Sequence, residues 1–231
     1  MITPAFALII PAYNEEKSIG KVINEIPNDL INEIVVVNNN SNDLTAGVAA
    51  SKGATVLFES FQGYGAACLK GIEYLKSKDV ELIVFLDGDY SDYPSEIRMV
   101  TEPIINDNFD IVIGSRVLGK KEKGSLPIQS RMGSIIAGLL INLFWGVKYT
   151  DLGPFRAIKK EKLLELNMTD IWYGWTVEMQ IKAAKKSFKI KEVPVSYRKR
   201  IGKSKVTGTI KGTVLASIII LKTIFSELFK K

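Results

Sequence analysis

Two carboxylates one residue apart, Asp87 and Asp89, close an apolar run, Leu82 to Leu86, with only Gly88 between them. A short apolar run bounded by turn residues reads as a buried strand. The pair therefore stands where a strand of an open α/β sheet ends, and ligands bind at that edge. Two carboxylates in such a loop can share one hard cation, Mg²⁺ or Mn²⁺, which takes its remaining ligands from water and substrate phosphates. Asp and Gly are also ordinary turn formers, so the rest of the chain decides between a turn and a metal site.

Other chemistry-bearing clusters follow the other apolar runs. Phe6–Ile10 leads into Pro11, Tyr13, Asn14, Glu15 and Glu16. Carboxylates here suit the positive end of the helix whose apolar face is Ile19, Val22, Ile23 and Ile26. Ile34–Val37 ends in Asn38, Asn39, Asn40, Ser41, Asn42 and Asp43. Their amide and carboxylate groups suit reading a nucleobase edge or, as with Asp43, capping the next helix. Thr55–Phe58 leads to Gln62, Gly63 and Gly65, where backbone N–H groups could approach a phosphate or simply make a tight turn. Ile111–Ile113 leads to Arg116 and a basic, glycine-containing loop, Val117 to Pro127, with the composition of a lid.

The elements that must position these residues alternate strand and helix. That pattern argues for an α/β fold with a mainly parallel sheet flanked by helices. At 231 residues the chain is one large domain with an extension, here divided as residues 1–205 and an amphipathic C-terminal helix, 206–231. One cysteine, Cys68, excludes an internal disulfide and fits a reducing cytoplasm. The N-terminus lacks a basic region before its apolar run, so no signal peptide is expected. The absence of histidine removes Ser-His-Asp and Cys-His catalysis and His-ligated metals.

Charge is uneven. Residues 181–231 carry 14 Lys/Arg against 2 Asp/Glu, while the whole chain is only +6. A basic end on an acidic body suggests a polyanionic partner or a solvated basic face. Aromatic residues are not interleaved through it as in a single-strand nucleic-acid platform, so nucleic acid is not an expected partner. Met132 to Val147 runs 16 residues without a charge. It is short for a membrane span, so a buried core helix is the default and an interfacial helix the alternative. Val206 to Phe229 is apolar but holds Lys211 and Lys222, which argues against a span.

With these residues assembled, the chain resembles glycosyltransferase family 2 of the GT-A fold, and within it the polyprenyl-phosphate sugar synthases. PAYNEE at 11–16 resembles the family's first nucleotide-binding segment, and LDGD at 86–89 its metal-binding D-x-D. The block from DLGPFRAI at 151–158 through residues 173–205 resembles the subfamily's C-terminal signature. The resemblance implies an inverting transferase at the inner membrane face, moving a sugar from a UDP- or GDP-sugar to a polyprenyl phosphate. It implies that Pro11, Tyr13, Asn14, Glu15, Asn38, Asn39, Ser41, Gln62, Gly63 and Gly88 contact the nucleotide sugar. Asp87 and Asp89 would hold Mg²⁺ or Mn²⁺. Arg116 and Asp151 join the catalytic set, and Arg131, Arg198, Arg200, Lys203, Ser204 and Lys205 face the acceptor phosphate.

Two departures bear on this. Asn38-Asn39-Asn40-Ser41 stands where the family usually has Asp-Asp-Gly-Ser, which leaves base identity open. Ser91 stands where mannose synthases have a metal-binding Gln, with Asp92 as a substitute. A phosphate monoester has a second pKa of roughly 6 and is already an anion near neutrality, so it needs cations more than a base. Arg198 and Arg200 follow an apolar run read as a strand, so both are expected on one face. The alternatives are a hydroxyl acceptor, with Asp151 or Glu178 as base, and a non-catalytic nucleotide- or membrane-binding module.

Overall fold

The computed structural model describes residues 5–27, 29–202 and 210–230. The expected Lys203, Ser204 and Lys205 lie outside the described residues. Seven strands are present: β1 Phe6–Ala12, β2 Glu33–Asn38, β3 Thr55–Phe58, β4 Leu82–Phe85, β5 Ile111–Ser115, β6 Arg156–Lys159 and β7 Ile190–Pro194. The helices are α1 Ile19–Asn24, α2 Thr45–Ser51, α3 Tyr64–Leu75, α4 Ile97–Asp107, α5 Ile128–Trp145, α6 Lys160–Glu165, α7 Trp175–Lys185 and α8 Ile210–Phe229.

The strands form one sheet in the order β3-β2-β1-β4-β6-β5-β7. β1 to β4 run parallel, β6 is antiparallel to both neighbours, and β7 is parallel to β5. All five strands read from apolar runs are observed. The runs at their centres are continuously apolar because the middle of the sheet is covered on both faces. Ala7, Ile9, Val35, Val37, Ile83 and Phe85 pack toward α3, α5 and α7. Phe6, Leu8, Ile10, Val36, Leu82 and Val84 pack toward α1, α2 and α4.

β6 has no counterpart in the sequence reading. It is four residues long and begins with Arg156, which is fully buried. A charged residue in so short a run carries no strand signal. Arg156 survives there because its guanidinium donates to the carbonyls of Gly153 and Thr176.

α5 corrects the expectation of a buried core helix. Its inward residues are small or few: Ser134, Ala137, Gly138 and Ile141. Its large apolar residues, Met132, Ile135, Ile136, Leu139 and Leu143, are exposed. The close approach is what selects glycine at 138, since a Cβ there would lie 2.4 Å from the Tyr149 carbonyl oxygen. α8 packs on α7 and α5 and likewise exposes Val214, Leu215, Ile218, Leu221, Phe225 and Phe229. The two lysines do not remove its spanning potential. Gly212–Phe229 has a mean hydropathy of 1.7 and is long and apolar enough to cross a membrane by length and composition.

Candidate active site

The carboxyl ends of β1, β2, β4 and β5 open onto a crevice of about 910 Å³. Parallel strands direct their C-terminal loops to one side, which is why residues far apart in sequence meet there. Its lining includes Pro11, Tyr13, Glu15, Asn39, Gln62, Gly63, Asp87, Gly88, Asp89, Arg116 and Arg200 from the expected set.

Asp87 and Asp89 are held differently. Asp89 is buried, and its Oδ1 accepts from the Ser91 backbone N–H at 2.9 Å and from the Ser91 hydroxyl. Its Oδ2 is ion-paired with Arg200. Asp87 Oδ1 is buried without a hydrogen-bond partner. Burial first, and then the Asp89 carboxylate, push the Asp87 carboxyl up to about 7. Burial and the same two carboxylates push Asp92 well above the usual range, and both its oxygens are buried and unpartnered. An orphaned carboxylate oxygen amid surplus negative charge fits a divalent cation. Among the described residues no three acidic, cysteine or histidine side chains converge on one point. Asp87, with its orphaned oxygen, and Asp89, oriented by Ser91, are the candidate ligands for such a cation.

Arg116 is fixed by Asp151. Its backbone N–H, Nε and Nη2 donate to the Asp151 carboxylate at 2.9, 2.7 and 2.7 Å, and its guanidinium lies 5.1 Å from the Tyr197 ring centroid. Asp151 also accepts from Ser134 Oγ and its own neighbour's N–H. Burial raises this carboxyl, but the Arg116 charge and these donors outweigh it and hold it below the usual range. This corrects the expectation of Asp151 as a base. Its carboxylate is buried behind Arg116 and positions it. Glu178 is likewise engaged, accepting from the N–H groups of Thr169 and Asp170 and ion-paired with Lys182 at 2.7 Å.

Residues 7–166 match the model of the family described as Glycosyl transferase family 2. The chain belongs to this family. An uncharacterized glycosyltransferase of Mycobacterium tuberculosis is 32% identical over 229 residues, covering 97% of this chain and all of the relative. A dolichyl-phosphate hexose transferase of Haloferax volcanii is 31% identical, covering 93% and 92% respectively. Glucosyl-3-phosphoglycerate synthase of M. tuberculosis, solved with Mn²⁺, UDP and phosphoglyceric acid, superposes with a TM-score of 0.78 at 18% identity over 99% of this chain and 80% of that one. The likeness to that structure covers nearly the whole of this chain and fits the expected GT-A arrangement.

Within this family frame, several expected site residues take other roles. Asn38 Oδ1 accepts from the Ser41 N–H, the Ser41 hydroxyl from the Asn14 N–H, and Asn14 Oδ1 from the Asn42 N–H. Asp43 accepts from the N–H groups of Thr45 and Glu16, so it ties the start of α2 to the first loop. These side chains stitch two loops together, and Asn14, Asn38 and Ser41 are not in the crevice wall. Arg198 is also elsewhere. It is ion-paired with Glu25 at 2.7 Å, and its guanidinium lies over the Tyr90 and Tyr93 rings. Residues 198–200 are not in a strand, so Arg198 and Arg200 point to different partners and the shared-face expectation fails. Arg131 is exposed on the first turn of α5, beside Ser130, which does line the crevice.

The glycines at 63 and 65 also differ from expectation. A Cβ on Gly63 would lie 2.2 Å from the Ile171 carbonyl oxygen, and one on Gly65 2.0 Å from that of Asp170. The Gly65 and Ala66 N–H groups donate to the carbonyls of Trp172 and Ile171. The first turn of α3 therefore docks the 169–174 loop. That loop brings Trp172 and Tyr173 into the crevice wall, neither of them in the expected site set, although Tyr173 opens the 173–205 block. Tyr197 and Lys199 were missed for the same reason: the 195–199 segment is pinned to the basic loop through Tyr197 N–H to Lys120 O and Glu122 N–H to Tyr197 O, both 2.9 Å.

Proposed function

We propose that this glycosyltransferase moves a sugar from a nucleoside-diphosphate sugar to a polyprenyl phosphate at a membrane surface, inverting the anomeric centre. The carrying observation is that the ionic crevice runs directly into an apolar exterior. Pro127 and Ser130 line the crevice, and the helix they begin presents Met132, Ile135, Ile136, Leu139 and Leu143 outward. Phe144 of α5 meets Phe225 of α8 at 6.2 Å, which joins two apolar faces into one shelf. An acceptor with a phosphate head and a hydrocarbon tail matches both halves. Relatives named for dolichyl-phosphate transfer support the reading: the hexose transferase above, and a UDP-N-acetylglucosamine–dolichyl-phosphate N-acetylglucosaminyltransferase of Methanococcus voltae at 30% identity.

In this reading Asp87 and Asp89 would hold Mg²⁺ or Mn²⁺, which would supply charge neutralisation for a diphosphate leaving group. Arg200 releases Asp89 and turns to the phosphates. Arg116, kept in place by Asp151, presents the rest of its planar fork to phosphate oxygens. Lys199 and Arg131 supply positive charge toward the mouth. The acceptor phosphate attacks as an anion, which suits a site where Asp151 and Glu178 are both committed to internal partners. The membrane face expected is the cytoplasmic one.

The test is transfer by the purified full chain from a panel of UDP- and GDP-sugars, with Mn²⁺ and a short polyprenyl phosphate, read by product mass and anomeric configuration. A polyprenyl-phosphate sugar of inverted configuration, abolished by EDTA, is expected. Glycosylation of free saccharides with polyprenyl phosphate ignored replaces this reading with a hydroxyl-acceptor transferase. Full activity in EDTA removes the metal.

A further inference from the structure

We infer that the nucleobase of the donor is gripped by its face, against the indole of Trp172, and is not selected along its hydrogen-bonding edge. The inference rests on the donor reading above and adds what decides base specificity. With the diphosphate at Asp87 and Asp89 on β4, the crevice has two ends. The β5 end holds Arg116 and the basic loop. The β2 and β3 end holds Asn39, Gln62 and Trp172, and that is where a base would lie.

Asn39 is largely committed elsewhere, with both Nδ2 hydrogens and one Oδ1 lone pair in use. It is only 6% exposed. Its Nδ2 donates to the carbonyls of Phe61 at 2.6 Å and Glu59 at 3.4 Å, and its Oδ1 accepts from the Gly63 N–H at 2.8 Å. A carboxamide pinned on both sides by backbone has no free donor and a single acceptor lone pair to offer, too little to sort bases by their edge pattern. Gln62 is exposed, and its amide carries donor and acceptor alike, so turning it over matches either kind of base edge.

The same bonds build an aromatic wall. They hold Phe61 against Trp172, with ring centroids 5.0 Å apart and planes at 69°. Trp172 is fixed from behind by the Gly65 N–H on its carbonyl at 3.1 Å and by its own N–H on Asp170 Oδ1 at 2.7 Å. It nevertheless remains 42% exposed. A large ring on a pinned backbone, braced by an edge-on neighbour while part of its surface stays open, is suited to a planar ligand. Stacking is tolerant of base identity because every base has a π-face.

The experiment is calorimetric titration of UDP, GDP, CDP and ADP with Mn²⁺ into wild type, Trp172→Ala and Trp172→Phe, with the Tm of each variant checked. Affinities within about tenfold of one another are expected in wild type. Trp172→Ala should weaken all four in parallel by about tenfold, and Trp172→Phe should recover most of the loss. A preference of a hundredfold or more for one base that survives Trp172→Ala overturns the inference and leaves the donor reading standing. So does an alanine variant that binds all four diphosphates as tightly as wild type. Failure of all four to bind sinks the donor reading and this inference with it.

Discussion

Asp151→Asn tests whether the Arg116–Asp151 pair is the strut behind the phosphate end of the crevice. The substitution keeps the shape and removes the charge. Asp151 has no exposed side-chain surface and Arg116 is 12% exposed, so solvent screens the pair little. One oxygen, Oδ2, accepts both the Arg116 N–H and its Nε–H. An amide nitrogen there would oppose donor to donor, and turning the amide over only moves the conflict to Nη2, Ser134 and the Leu152 N–H. Breaking one side of a buried ion pair costs about 3–5 kcal/mol. For a chain of this size that is a Tm lower by about 10 °C. The sign of the pH dependence follows from the depressed folded-state value of Asp151. The pair's contribution is fully present above the unfolded carboxylate value, about 3.9, and is lost as pH falls through the lower folded value. Urea melts of wild type and variant should therefore differ by several kcal/mol at pH 7, and the gap should begin to close only as the pH falls below about 3.9. A loss under about 1 kcal/mol at pH 7, or a gap that persists unchanged in acid, refutes the strut.

Gly65→Ala should fold less stably and loosen the 169–174 loop, because the new methyl would lie 2.0 Å from the Asp170 carbonyl oxygen. Hydrogen exchange at the Gly65 and Ala66 amides should accelerate by at least tenfold, and unchanged protection would show that the loop does not depend on that contact. Liposome flotation of the full chain should increase with anionic lipid and fall with salt, since the apolar shelf of α5 and α8 carries exposed Lys222 and is reached past Arg131 and Lys199. Equal flotation on neutral vesicles would leave only the apolar part of that attachment.

What was readable along the chain was what local sequence decides. Five strands announced themselves as apolar runs because a sheet covered on both faces needs side chains that are apolar in both directions. The D-x-D pair followed from the same signal, since the run stops at Asp87. The length and mean hydropathy of α8 were readable too, although its two lysines argued against a span. Contacts between distant segments decided the rest. Asn38, Asn39 and Ser41 had the chemistry to read a base, but backbone groups from residues 14, 41, 59, 61 and 63 claim or answer their hydrogen bonds. Gly63 and Gly65 are small for a carbonyl chain a hundred residues away, which no spacing rule can see. Arg198 and Arg200 are one residue apart, yet one finds Glu25 and the other Asp89. Even the polarity of α5 was settled by neighbours: small residues face inward because Tyr149 comes close, so the large apolar ones are left to the outside. A side chain's chemistry is written in its identity, but its assignment depends on which partner the fold brings within about 3 Å, and only the tertiary structure holds that distance.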